Sequence, residues 1–176
     1  MNAVADAVRV LSRALDQAGD LVQRVHPEHR DLPTPCHGWK VSALVDHLLT
    51  DEVGFLEMMR GGQPDWSAAT PEVREDWAEV FRERADDLVH AWHQATDAAI
   101  DPDWQTAEFA VHSWDLARAL DLDTARLDPE VAERGLAFMR ANLSAERRGP
   151  AFAPEQQAPP GAGRYELLAA FAGRVV

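Results

Sequence analysis

The sequence is short of several things, and each shortage excludes something. It has a single cysteine, Cys36, so no disulfide can form within the chain and packing must hold the fold. Lysine and arginine number 17 against 30 aspartates and glutamates, a formal net charge of −13. A chain with that balance lacks the positive face that nucleic acid or an anionic membrane requires, so neither is expected as a partner. Long apolar runs are missing too: stretches such as "LLAAFA" are far too short to span a bilayer. The opening "MNAVADAVRV" carries Asp6 and no extended apolar core, unlike a secretory leader. A cytoplasmic setting is the expectation. No segment alternates β-branched and polar residues with a period of two, so no sheet is predicted.

What the sequence does contain is helical periodicity. With 176 residues, 46% of them hydrophobic, the chain can bury one real core, and a single domain over 1–176 is expected. Val4, Val8, Leu11, Leu15, Ala18, Val22 and Val25 step by three and four, the stripe of a first helix. "HPEHRDLPTPCHGW" breaks that pattern with three prolines and Gly38. A second helix is predicted from about Trp39, buried through Val41, Leu44, Val45, Leu48, Phe55 and Met59 and ended by Gly61-Gly62. Thr70-Pro71, Asp101-Pro102 and Asp128-Pro129 each read as a cap followed by a first-turn proline. They place a third helix to about Ile100, a fourth to about Leu120 and a fifth to about Ala145. "YELLAAFAGR" closes the chain as a short helix. The prediction is an all-α, four-helix bundle with an additional helix and a short C-terminal one. Bundles of this kind build metal sites from side chains on facing helices.

The fourth helix carries a peculiarity. In "AEFAVHSWDLARAL" a carboxylate, Glu108, and an imidazole, His112, stand four residues apart on a largely apolar segment. Residues at that spacing share one helix face, and both groups are costly to bury without partners. A hydrogen-bonded Glu–His pair would satisfy them; so would a metal ion. His47, on or beside the apolar stripe of the second helix, supplies a third inward-facing candidate. Two imidazoles and one carboxylate form a common catalytic metal set with one position left open, and the same set suits zinc or non-haem iron.

Other groups compete or assist. Asp115, three after His112, is placed to orient a ligand or form part of the pocket wall, which makes it a further catalytic candidate; a salt bridge to an arginine such as Arg118 is the plainer reading. Asp51, four after His47, is a candidate acceptor for the imidazole N–H. His90 and His93 fall on a face expected to be solvated. Cys36 is read as structural, since a neighbouring His37 in sequence does not by itself activate a thiol. The tryptophans and methionines are read as core.

"TPCHGWKVSALVDHLL" resembles the second-helix motif of the DinB/YfiT-like superfamily, and "AEFAVHSWDLARAL" and "LLAAFAGR" resemble later segments of the same group. The nearest resemblance is to the metal-binding domain of mycothiol-dependent maleylpyruvate isomerase and its stand-alone relatives. It implies a four-helix bundle whose metal ligands fall on His47, Glu108 and His112, with zinc the usual ion and nickel, iron and manganese as other choices. It also implies activation of a low-molecular-weight thiol such as mycothiol, for transfer to, or isomerisation of, a small electrophile. A metal-dependent hydrolase using bound water, and a non-catalytic metal- or ligand-binding bundle, are the alternatives. The expected partner is a small-molecule substrate, and the expected state a monomer or homodimer.

Overall fold

The computed structural model describes residues 3–74, 76–96, 100–148 and 152–176. Six α-helices carry the fold: α1 (Ala3–Val22), α2 (Val41–Met59), α3 (Trp77–Gln94), α4 (Pro102–Ala119), α5 (Pro129–Asn142) and α6 (Arg164–Phe171). Among the described residues there is no β-strand; a bridge between Pro33 and Lys40 pinches the loop ahead of α2. The all-helical, bundled architecture matches the sequence expectation. α1 packs on α3 and α4, and α2 on α3 and α4. α5 lies against α4 and α1, and α6 against α5 and α4.

α4 is the hub of these contacts. Its buried residues include Gln105, Thr106, His112, Ser113 and Asp115 alongside Phe109, Val111, Trp114 and Leu116, so burial wraps all the way round it. A helix in that position has no solvent face on which to leave polar groups. Its buried polar side chains depend on partners inside the bundle: Gln105 accepts from the Trp92 indole and His112 meets Asp115, whereas Ser113 Oγ has no hydrogen-bond partner among the described residues. α5 approaches closely because Gly135 has no side chain: a Cβ there would lie 3.2 Å from the Cα of Ala107.

Aspartate caps start α3, α4 and α5. Asp101 accepts a hydrogen bond from the Asp103 amide (2.9 Å) and Asp128 one from the Glu130 amide (3.0 Å), each with proline next in line. The third boundary differs from the prediction. Thr70-Pro71 starts no helix; α3 begins at Trp77, with Asp76 accepting from the Glu79 amide at 3.0 Å. The Val73 amide is instead drawn to the buried carboxylate of Asp46 on α2 (3.0 Å), which holds this segment as a loop. α3 also stops at Gln94, where Ala95 turns extended, rather than near Ile100; residues 97–99 lie outside the described ones. Val4, placed on the apolar stripe by periodicity, is half exposed. No helix among the described residues is long and apolar enough to cross a membrane.

Candidate functional site

Two helical stripes build the site. On α2, His47, Asp51 and Phe55 recur at every fourth position; on α4, Trp104, Glu108 and His112 do the same. Such residues stack along one helix face. The His47 and His112 rings meet edge to face at 4.9 Å, and the Phe55 and Trp104 rings at 5.3 Å. The two stripes therefore run antiparallel and pair in tiers, with imidazoles at one end, the carboxylates of Asp51 and Glu108 between, and aromatic rings at the other end. They wall a cavity of about 730 Å³.

The sequence-derived candidates His47, Glu108 and His112 come together, with one potential ligand atom from each lying within 4.8 Å of the others. His112 Nε2 is 3.7 Å from Glu108 Oε2. On its other side, His112 Nδ1 lies 3.1 Å from Asp115 Oδ2. A carboxylate can only accept, so Nδ1 is the donor to Asp115, and Nε2 is the ring nitrogen on the Glu108 side. Trp39 fixes the ring from a third direction, stacking on His112 at 5.9 Å and touching His47 edge-on at 4.7 Å.

Asp115 lies behind His112, not in the cavity. It is fully buried, and its partner is Arg174 rather than Arg118. Arg174 donates from Nε to Oδ1 (3.1 Å) and from Nη2 to Oδ2 (2.8 Å), and from Nη1 to the Ala172 carbonyl (2.9 Å). Burial alone would raise the Asp115 pKa, but the hydrogen bonds from His112 and Arg174 outweigh it and hold the group below the usual carboxylate range. Of the two places the sequence left open for Asp115, the structure has it orienting His112 from behind and not forming part of the cavity wall. Arg118 lies over the Trp114 ring instead.

The carboxylate tier carries an electrostatic load. Burial, and then the neighbouring Asp51, raise the pKa of Glu108, while His112 and His47 pull it back. Burial also works against a charged His47, but the Asp51 carboxylate prevails and raises its pKa. Asp51 Oδ2 is 3.0 Å from His47 Nε2, yet it meets no donor in good hydrogen-bond geometry and is fully enclosed. Among the described residues lining the cavity, Arg174 is the one arginine or lysine, and it is committed to Asp115. Two carboxylates, two imidazoles and an undersatisfied buried oxygen form a donor set lacking a cation, and a divalent ion suits it.

Cys36 is closer to this centre than its loop position implied, grouping with His112 and Asp115 within 4.8 Å. Burial pushes its thiol up to about 11, so it is neutral at ordinary pH. His90 contacts Gln94 on an exposed part of α3, away from the cavity, as the sequence reading had it. The reading missed Arg174, whose role needs a contact between the segment after α6 and the middle of α4. It also took Trp39, Trp66 and Trp104 for core, although all three line the cavity.

Residues 11–101 match the family model described as the mycothiol maleylpyruvate isomerase N-terminal domain. That span includes His47 and Asp51 and stops before Glu108 and His112. Two uncharacterized proteins, from two strains of Mycobacterium tuberculosis, are each 28% identical over 191 aligned positions, covering 97% of this chain and 99% of theirs. No solved structure gives a significant match.

Proposed function

Because the chain belongs to the mycothiol maleylpyruvate isomerase N-terminal domain family, we propose that it is a metal-dependent enzyme acting with a low-molecular-weight thiol of the mycothiol type on a small electrophile. His47, Glu108 and His112 are the residues that would hold one divalent cation, with zinc the ion their donor types suit first. A cation bound there supplies Lewis acidity and stabilises negative charge on sulfur or oxygen.

The observation that carries the reading is the convergence of these three donors with His112 already oriented. Asp115, itself held by Arg174, fixes the orientation of the imidazole through Nδ1, so ring order is established before any ligand arrives. Asp51 Oδ2, beside His47, is a buried hydrogen-bond acceptor in the same chamber. Trp39 packs against both imidazole rings at that end. Family membership supports transfer or isomerisation of the electrophile as the reaction, and the cavity of about 730 Å³ has room for small reactants.

The test loads the protein with zinc, supplies mycothiol and a panel of small electrophiles, and reads thiol consumption and products by mass spectrometry. Thiol-dependent conversion is expected, abolished by His47→Ala and by Glu108→Ala. Cleavage of esters or amides that proceeds without thiol would put water in the thiol's place and overturn this reading.

A further inference from the structure

The far end of the cavity is built for a different chemistry from the imidazole end. Trp66 comes from the loop after α2, Trp104 from the first turn of α4 and Phe55 from α2. Phe55 and Trp66 lie 5.6 Å apart, Trp66 and Trp104 6.2 Å, and Phe55 and Trp104 5.3 Å. Their planes are tilted or perpendicular, so the rings form walls rather than one stack.

Phe55 is part of the core, but Trp66 is 47% exposed and Trp104 only partly buried. Trp66 is not a lone exposed ring: with Trp104 and Phe55 it forms a contiguous apolar wall at the cavity mouth, the kind of patch that marks a binding site. Trp66 also depends on a specific concession in α2. It lies directly over Gly54, where a Cβ would come within 2.4 Å of its ring. Glycine is costly inside a helix, and here its bare backbone lets the indole close over the cavity.

Charge sharpens the inference. A small dianionic acid is normally held by arginine or lysine forks. The one such side chain lining this cavity, among the described residues, is Arg174, with every guanidinium nitrogen already donating inside the protein. The two carboxylates of the middle tier add negative charge, and a divalent cation would only balance them. Aromatic walls without a free cation favour a flat, uncharged ring.

We propose that this end of the cavity is the electrophile subsite, and that it takes a flat, uncharged aromatic molecule against the walls formed by Trp66 and Trp104. The reactive carbon would point toward the His47–Glu108–His112 end. The tiers are one helical turn apart, so the ring sits about 6 Å from the carboxylate tier. The inference rests on the proposed function for where the reaction occurs, and on the aromatic walls alone for what binds.

Calorimetric titration with 2-naphthamide, 2-naphthoate and maleate tests it, using metal-free and zinc-loaded full-length protein. The amide and the naphthoate share one ring system and differ in charge. The amide is expected to bind both forms of the protein. Its affinity should fall about tenfold in Trp66→Ala and in Trp104→Leu, the loss of one good ring contact plus its burial. Helical circular dichroism checks that both variants fold. In metal-free protein the naphthoate and maleate should bind more weakly than the amide. No binding of the amide, equal binding in both tryptophan variants, or tighter binding of either anion to metal-free protein would overturn the proposal. Zinc titrated into the same samples separates the two readings. Amide binding without zinc binding leaves this inference standing and removes the metal; zinc binding without amide binding does the reverse.

Discussion

A thiol next to a histidine looks like a nucleophile, and Cys36 shows why the surroundings decide. Its Sγ lies near the polar centre, yet burial is the largest influence on it and, with Asp115 and Glu108 adding to the effect, lifts its pKa to about 11 against the opposing pull of Arg174. A raised thiol pKa means the folded state holds its proton longer than the unfolded chain does. Stability contributed by the neutral thiol is present below the unfolded value of about 8.5 and lost as pH rises from there toward 11. Reactivity follows the thiolate. In metal-free protein at pH 8, iodoacetamide should modify Cys36 about a hundredfold more slowly than an exposed cysteine, with the rate still climbing above pH 10. Full-speed alkylation levelling off near pH 8.5 would show that the thiol is not held as described. The ligand candidates were more legible than this cysteine. Glu108 and His112 declare themselves by a four-residue spacing on a largely apolar segment, and His47 by its place beside an apolar stripe. Sequence order says nothing about how deeply a loop thiol is covered.

Among the elements, α4 depends most on distant parts of the chain. Its Asp115 is neutralised by Arg174, which follows α6, so the C-terminal end of the chain braces the helix that carries Glu108 and His112. Asp115→Ala leaves a buried guanidinium without its counter-charge, and a loss of about 3–5 kcal/mol is expected in urea unfolding. The double variant Asp115→Leu with Arg174→Met removes both charges and should recover most of that stability. It should not recover metal binding, because His112 has lost its acceptor; affinity about 10–100-fold below wild type is expected. Recovery of both together would make the pair purely structural. At α5, Gly135→Val should cost about 1–3 kcal/mol in the same assay, since the Cα of Ala107 stands where the new side chain must go. Full wild-type stability would mean that the helices separate more freely than the close approach implies. The Asp-Pro caps of α4 and α5 were readable because each is satisfied locally. The Thr70-Pro71 signal failed because a buried carboxylate on another helix, Asp46, claimed the Val73 amide and a better cap stood at Asp76. Arg174 stayed unassigned for a similar reason, since its partner is set by the packing of α6 and not by its neighbours.

For the molecule as a whole, the bundle and the metal site are separate achievements. The apolar core runs through all six helices, from Leu11 and Leu48 to Phe109 and Leu168, and requires no ion to close. Metal-free protein should therefore be folded, unlike small domains in which metal binding and folding are one event. Metal should add stability by mass action, about 4 kcal/mol when free ion stands a thousandfold above its dissociation constant. The central claim is that His47, Glu108 and His112 form one divalent-metal site, and zinc titration calorimetry on metal-free protein tests it most directly. One zinc per chain is expected in the wild type, with binding lost in His47→Ala, Glu108→Ala and His112→Ala while the helical circular dichroism of each stays intact. Wild-type protein that takes up neither zinc, nickel nor iron, or three variants that bind zinc as tightly as the wild type, would contradict it.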